Sequence, residues 1–504
     1  MVVASLVLGI NLWSMSYRAA WPSPLTPWES AYVIAGETLS RGGDIYNFPG
    51  DPKTGNNVEG PAAVMYGPAL PLCLGVLVKT FGSWPYYARF LSLAAAAGIA
   101  LLAIRLQPQR CGISVLFATA LVAAVNWRSR SFFTDARPDM LAWLLAALAL
   151  VSFYLAHARE RWSWYFPGTV LLVIALLFKQ TTSIYAVVPI AAVLFTNRRR
   201  SLLHLGIAVI PLTVIVLTAS ALKVLAPDVF HYFISMPSYW PIRWTRIWDA
   251  SSNAITFDPL FALCMGVWIV RPELLKNPAM IWLVVTTGTA IAAGAVFFAK
   301  TGGSYNSYIP AWLPSATFSA AILTWLVIQN ELPMNTYRVA VMILTPIAML
   351  ASAFGITRGS DFVVHYQNGY RNYAQIIQVA RALPGIVVCP EDPTIAFEAK
   401  GELTRSFTVE IEAVQNRFIP ALMQQEMYSA DWLVWIGSPY TELISTADLW
   451  RLGFVLEDIE GIETGTYQIW RRDHSVSPQV LEQGVGQPPK KNPSKSTRKI
   501  RSRN

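Results

Sequence analysis

Three short polar clusters interrupt the hydrophobic stretches that fill residues 1–355, and their side chains are of the kinds that move protons and hold anions. They are Pro27-Trp28-Glu29-Ser30, Asp135-Ala136-Arg137-Pro138-Asp139 and Phe178-Lys179-Gln180-Thr181-Thr182. A charged group near membrane depth costs about 2.5–3.5 kcal/mol on insertion scales, so such groups are expected where they face a cavity and do work. Pro27 suits a first helical turn, which places Glu29 at a helix N-terminus. There its carboxylate could accept a proton from a hydroxyl, or do no more than complement the helix dipole. Arg137 is a candidate ligand for an anion, and Asp139, in the first turn of the next apolar helix, would orient that anion or a sugar hydroxyl. The plainer alternative is a capped helix with interfacial arginines. Lys179 and Gln180 close a third helix. Lys179 either binds phosphate as a flexible point charge or snorkels to the interface.

Two further regions carry polar groups. Asp228 to Phe233 includes His231, and it continues to Tyr239-Trp-Pro-Ile-Arg243-Trp-Thr-Arg246-Ile-Trp248. This aromatic and basic loop reads as an interface anchor or as a cradle for a lipid phosphate. Lys300-Thr-Gly-Gly-Ser-Tyr-Asn306-Ser-Tyr308-Ile-Pro310 is a Gly-rich turn feeding a helix. The sequence contains no Walker loop, no HExxH and no Gly-x-Ser-x-Gly. Cys73, Cys111, Cys264 and Cys389 show no metal-ligand spacing and do not read as a disulfide framework. No cofactor is demanded, and a requirement for a divalent metal is left open.

The elements that must position these groups are membrane helices. Of 504 residues, 54% are hydrophobic and only 14% charged, against about 25% charged in soluble domains. The mean hydropathy is +0.40. Candidate spans lie near 1–17, 88–106, 111–127, 138–157, 163–179, 183–197, 203–226, 257–271, 278–299, 307–329 and 337–356. Each approaches the ~17–25 apolar residues that a bilayer requires. Segment 62–80 is also apolar but is interrupted by Pro68 and Pro71.

Positive charge decides between topologies. If 62–80 does not span and the N-terminus is cytoplasmic, then Arg105/Arg110, His157–Arg161, Arg198–Arg200 and Arg271/Lys276 all fall inside, as the bias in short loops requires. About eleven spans result. The loops at 18–61, 128–137, 180–182, 227–256 and 300–306 then share the outer face, which gathers the polar clusters there. An N-terminal signal peptide is the alternative for 1–17, against which stand the absent basic region and cleavage site.

Residues 357–473 are mixed in polarity, with strand-like runs at Gly385–Cys389, Trp432–Ile436, Gly453–Leu456 and Gly465–Trp470 and a helical pattern at Tyr373–Ala382. The fold class expected is therefore an all-α polytopic membrane domain (1–356) followed by a small C-terminal α/β outer domain (357–473). The tail 474–504 is Pro/Gln/Ser/Lys-rich and expected to be disordered. Its last fifteen residues hold seven Lys or Arg and no acid, which accounts for part of the net charge of +9. Nucleic-acid binding is not read from that charge.

Taken in order, these features resemble the GT-C membrane glycosyltransferases, nearest the bacterial relatives of protein O-mannosyltransferases and of the lipid A aminoarabinose transferase. Those proteins carry an Asp-Glu pair in the first outer loop, an interfacial segment, an Asp motif opening a later helix, a Lys at the outer end of a membrane helix and a Tyr-x-x-Pro-like stretch. The matching residues are Glu29, Tyr66-Gly67-Pro68, Arg137-Pro138-Asp139, Lys179 and Tyr308-Ile309-Pro310; His231-Tyr232-Phe233 looks like a loop element of the same proteins. The resemblance covers roughly residues 1–356. It departs from the pattern at Trp28, where the family has the Asp that acts as base.

The resemblance implies inverting transfer of a sugar from a polyprenyl-phosphate donor to a hydroxyl acceptor, on the outer face of the cytoplasmic membrane. Glu29 and Asp139 would then be catalytic, and Arg137, Lys179, Gln180, His231, Arg243 and Tyr308 would bind substrate. A polytopic transporter or lipid flippase is the main rival, although no internal repeat or midplane break of the transporter kind is found. A polymerase or ligase of glycans and a non-catalytic scaffold are further alternatives.

Overall fold

Pro27 opens the first long helix described, where its missing N–H leaves nothing unpaired. The computed structural model describes residues 13, 15–19, 21, 27–46, 64, 66–105, 137–158, 161–196, 202–238, 241–249, 265–266, 269, 278–300, 305–311, 314–315, 317–318, 372–406, 426–436, 446–459 and 467–476. The expected spans at 111–127 and 337–356 lie outside these residues, as do most of those at 1–17, 257–271 and 307–329. Arg128, Arg130, Asp135, the side chain of Trp28, the turn 301–304 and the tail from 477 onward also lie outside.

The helical part comprises α1 (Pro27–Ser40), α2 (Ala69–Phe81), α3 (Tyr87–Arg105), α4 (Asp139–Ala158), α5 (Tyr165–Phe178), α6 (Val188–Thr196), α7 (Leu202–Leu225) and α8 (Pro278–Ala299). Among the described residues, Asp139–Ala156, Leu202–Leu225 and Met280–Ala299 are long and apolar enough to cross a membrane. The described residues thus do not carry all eleven expected spans. In lipid a helix is the form that satisfies every backbone group within its own segment. Met140, Ala146 and Phe153 of α4 share a core with Leu172 and Leu176 of α5, Tyr185 and Trp282 of α8.

Two elements differ from the sequence reading or sharpen it. The apolar stretch 183–197 is not one α-helix: a 3₁₀ segment, Gln180–Val187, precedes α6. Pro189 cannot donate to a preceding turn, so the α-helix begins next to it, at Val188. The proline-interrupted segment 62–80 contains α2, whose 13 residues rise only about 20 Å at 1.5 Å each, less than the about 30 Å hydrocarbon core. It packs closely on α1. A Cβ on Gly36 would lie 2.8 Å from the Leu74 Cβ, and one on Gly75 would lie 2.9 Å from the Leu39 Cβ.

The C-terminal part holds a four-stranded mixed sheet of order β1-β2-β4-β3: β1 (Val387–Val388), β2 (Trp432–Ile436), β3 (Phe454–Glu457) and β4 (Tyr467–Arg472). β1 and β2 are parallel; β4 runs antiparallel to both its neighbours, with Leu433 opposite Trp470. Leu433 and Val434 point to opposite faces, as alternation in a strand requires. Leu433 joins Met427, Leu449 and Trp470, while Val434 joins Tyr373 and Ile376 of a helix at 372–382, α9.

A further helix, α10 (Pro393–Lys400), packs against α1. Ile34 of α1 is buried with Leu403 and Phe397. Arg41 Nη1 donates to the Gly401 carbonyl at 3.3 Å, and its guanidinium lies 5.5 Å from the Phe397 ring centre. The sheet-bearing part therefore rests on the helix that carries Glu29.

Candidate functional site

Glu29 sits in the first turn of α1 and is 1% exposed. Both carboxylate oxygens are taken by one partner that the sequence reading passed over, Arg89 in the first turn of α3. Nε reaches Oε1 at 2.7 Å and Nη2 reaches Oε2 at 2.6 Å. Arg89 Nη1 also donates to the carbonyls of Trp21 and, at 3.3 Å, Arg18. Its guanidinium lies 5.2 Å from the Tyr86 ring centre. Two charges this deeply buried persist because the paired fork satisfies both. A signal was present in the sequence, since Arg89 is a charge inside the apolar stretch 88–106.

Asp139 opens α4 directly after Pro138 and is 3% exposed. Lys179 closes α5 in an extended backbone conformation, φ −151° and ψ 119°. That break turns its side chain back to Asp139, and Lys179 Nζ pairs with Asp139 Oδ1. The ammonium also lies 5.7 Å from the centre of the Tyr66 ring. Tyr66 stacks on Tyr32 of α1, with ring centres 6.5 Å apart, and the Tyr46 hydroxyl donates to its carbonyl at 2.8 Å. Gly67 follows because no side chain fits. A Cβ there would fall 1.7 Å from the Leu177 carbonyl oxygen, two residues before Lys179.

Asp139 and Lys179 line a small, partly open recess together with Trp143, Thr182, Tyr185, Phe297, Ser307 and Pro310. Its walls come from α4, the end of α5, the 3₁₀ segment, α8 and the Tyr305–Tyr308 turn. One cation, one carboxylate, hydroxyls and aromatic faces around a small apolar floor suit a ligand with an anionic head and sugar-like hydroxyls.

Of the eight residues singled out in the sequence, Asp139 and Lys179 touch. Arg137 lies two residues before Asp139, half-buried, and its carbonyl accepts from Ser92 Oγ of α3 at 3.5 Å. Gln180 opens the 3₁₀ segment, with Oε1 buried and lacking a hydrogen-bond partner among the described residues. Tyr308 is buried against Phe298 at 5.9 Å; its neighbours Ser307 and Pro310, rather than Tyr308, line the recess. His231 is exposed and meets Tyr232 edge-on at 5.0 Å, and Tyr232 stacks on Tyr46 at 6.4 Å. Arg243 is exposed, and its backbone N–H donates to the Ala299 carbonyl at 2.9 Å. Glu29 is held by Arg89 and does not line the recess. Trp143, Tyr185 and Ser307 were not foreseen. Among the described residues, no group of three or more His, Cys, Asp or Glu is placed to hold a metal ion.

No protein-family model matches this chain, and no curated protein does. Solved structures do match. ArnT from Cupriavidus metallidurans bound to undecaprenyl phosphate matches with a TM-score of 0.55 at 15% identity, over 94% of this chain and 99% of that chain. ArnT in the apo state matches with the same values. The archaeal oligosaccharyltransferase AglB from Archaeoglobus fulgidus, in complex with an inhibitory peptide and a dolichol-phosphate, reaches a TM-score of 0.49 at 13% identity, over 94% of this chain and 75% of that chain. The chain has the fold of ArnT, a GT-C fold, as the ordered motifs led one to expect.

Proposed function

We propose that this protein is a membrane glycosyltransferase that moves a sugar from a polyprenyl-phosphate donor to a hydroxyl acceptor on the outer face of the membrane. The observation that carries this reading is the Asp139–Lys179 pair on the wall of a recess, in a fold shared with a protein solved with undecaprenyl phosphate. The lipid phosphate takes Lys179 as its counter-ion. Arg137, Gln180, His231, Arg243 and Tyr308 are the further candidates for donor or acceptor contacts.

In this reading Asp139 accepts the proton of the acceptor hydroxyl. Its carboxylate lines the recess, whereas a proton on Glu29 would disrupt a buried bidentate pair. Lys179 has one positive charge to share. When the donor phosphate arrives, that charge moves from Asp139 towards the phosphate, and the Asp139 carboxylate turns to the acceptor hydroxyl. The acceptor oxygen then bonds to the anomeric carbon from the face opposite the phosphate, with inversion. The anomeric C–O bond breaks through an oxocarbenium-like state, and its electrons leave on the phosphate, where Lys179 stabilises the growing charge.

The test is transfer of radiolabelled sugar from a panel of polyprenyl-phosphate sugars by the full-length protein in nanodiscs, scored on hydroxyl acceptors. Labelled product that depends on Asp139 supports the reading. Movement of the lipid across the bilayer with no product on any acceptor would give the transporter reading the field.

A further inference from the structure

We infer that Arg89 is a positioning residue, which acts through Glu29 to fix α1 against the Asp139–Lys179 site. The inference rests on the transferase reading for its kinetic consequences alone. The geometry starts on α3. Arg89 and Ser92 are three residues apart and so share one face of that helix. Arg89 grips Glu29 of α1 by both oxygens, while Ser92 Oγ reaches the Arg137 carbonyl at the entrance to α4. One turn of α3 therefore connects the helix that carries Glu29 to the helix that Asp139 opens.

The grip extends along α1 to the site. Tyr32 lies three residues after Glu29, on the same side of α1. It is fully buried and stacks on Tyr66, with planes 16° apart, and the Tyr66 ring lies 5.7 Å from the Lys179 ammonium. The Tyr32 hydroxyl is buried without a hydrogen-bond partner among the described residues. Releasing Glu29 would let α1 rotate or slide, and the Tyr32–Tyr66 stack beside Lys179 would move with it. Arg89 also fastens the preceding chain through the carbonyls of Arg18 and Trp21. A lysine has no fork to make these contacts together.

The experiment compares wild type with Arg89→Gln, Arg89→Lys, Glu29→Gln and the double variant Glu29→Gln/Arg89→Gln, as full chains in nanodiscs. Sugar transfer is measured against pH, and backbone amide exchange of α1 is followed by mass spectrometry. Removing Arg89 alone takes the bidentate cation from a buried carboxylate and destabilises the site, so the neutral double variant serves as the folded control. The expected result has three parts. Arg89→Gln and Glu29→Gln each lower kcat by about 10²-fold, the scale of an ångström misplacement, and the double variant is no worse than the poorer single. The acidic limb of the pH profile stays where it is in Glu29→Gln. Exchange of α1 accelerates in every variant, least in Arg89→Lys, which also regains part of the rate.

An acidic limb that disappears in Glu29→Gln while α1 exchanges as in wild type would overturn the inference and make Glu29 the proton acceptor. Wild-type rate and exchange in Arg89→Gln would overturn it as well. If wild type transfers no sugar, the transferase reading falls, and the exchange data still decide whether the Arg89–Glu29 pair holds α1.

Discussion

Lys179, the residue that ends α5, is paired with Asp139, the residue that begins α4, although forty positions separate them in the chain. The two helices pack along their length, so the end of one falls beside the start of the other. The positive end of the α4 dipole and the Lys179 ammonium then both face the Asp139 carboxylate. An anionic ligand would meet the same two positive features.

The first prediction separates the partners. Asp139→Asn keeps the shape of the side chain and removes proton acceptance, so transfer should fall by about 10²–10⁴, the usual scale for a lost general base. Undecaprenyl phosphate should bind Asp139→Asn at least as tightly as wild type, because the phosphate no longer competes with a negative charge for Lys179. Lys179→Ala should weaken lipid binding and rate together. A lipid thermal-shift titration beside the rate assay measures both. Unchanged lipid affinity in Lys179→Ala would remove Lys179 as the phosphate ligand.

Gly67→Ala places a methyl group 1.7 Å from the Leu177 carbonyl oxygen, where backbone rather than a movable side chain stands in the way. Overpacking a tight site costs typically about 1–3 kcal/mol, and here the end of α5 must shift with Lys179 on it. We expect a lower midpoint of thermal unfolding in detergent and a reduced rate. A variant with wild-type values in both would show that the Tyr66–Pro68 segment can move away freely.

Asp392 should make the contact between α10 and α1 sensitive to pH. Burial raises its carboxyl from 3.8 to about 7, and the negative charges of Glu398 and Glu29 push in the same direction. The Thr394 hydroxyl and backbone N–H oppose the shift, and Tyr373, joined to Thr394 and Glu398, completes the surroundings. Between the unfolded and folded values, the folded chain holds this proton and the unfolded chain does not. The contribution to stability therefore falls as pH rises from about 4 to about 7 and is level above that. Asp392→Asn can still cap α10 and should lack this slope. Thermal unfolding of both proteins across the range gives the answer, and parallel curves would refute the assignment.

Topology supplies the last prediction. Reporter fusions after Arg110 should read cytoplasmic and those after Asp473 outer, because the Lys/Arg clusters of the short loops then lie inside. A cytoplasmic reading after Asp473 would end the eleven-span arrangement. Truncation after Asp473 should leave transfer near the wild-type rate.

The sequence by itself determined that the molecule is mostly helical and apolar with a small C-terminal sheet, and it located several of the described elements. Apolar length near 138–157 and 163–179 marked α4 and α5 to within two residues, and Trp432–Ile436 was legible as a strand from its composition alone. These are local properties: a bilayer fixes how long an apolar helix must be, and a strand or cap is written in neighbouring residues. Even the end of a helix at Lys179 is a local feature. Tertiary structure decided the partners. Glu29 meets Arg89 across sixty positions and Asp139 meets Lys179 across forty. No periodicity encodes either meeting, because each depends on which helix faces pack together. Charge cost shows that a buried carboxylate needs a cation without indicating which one. That is why the sequence leaves Glu29 open between a base and a dipole-capping residue, while the structure pairs it with Arg89.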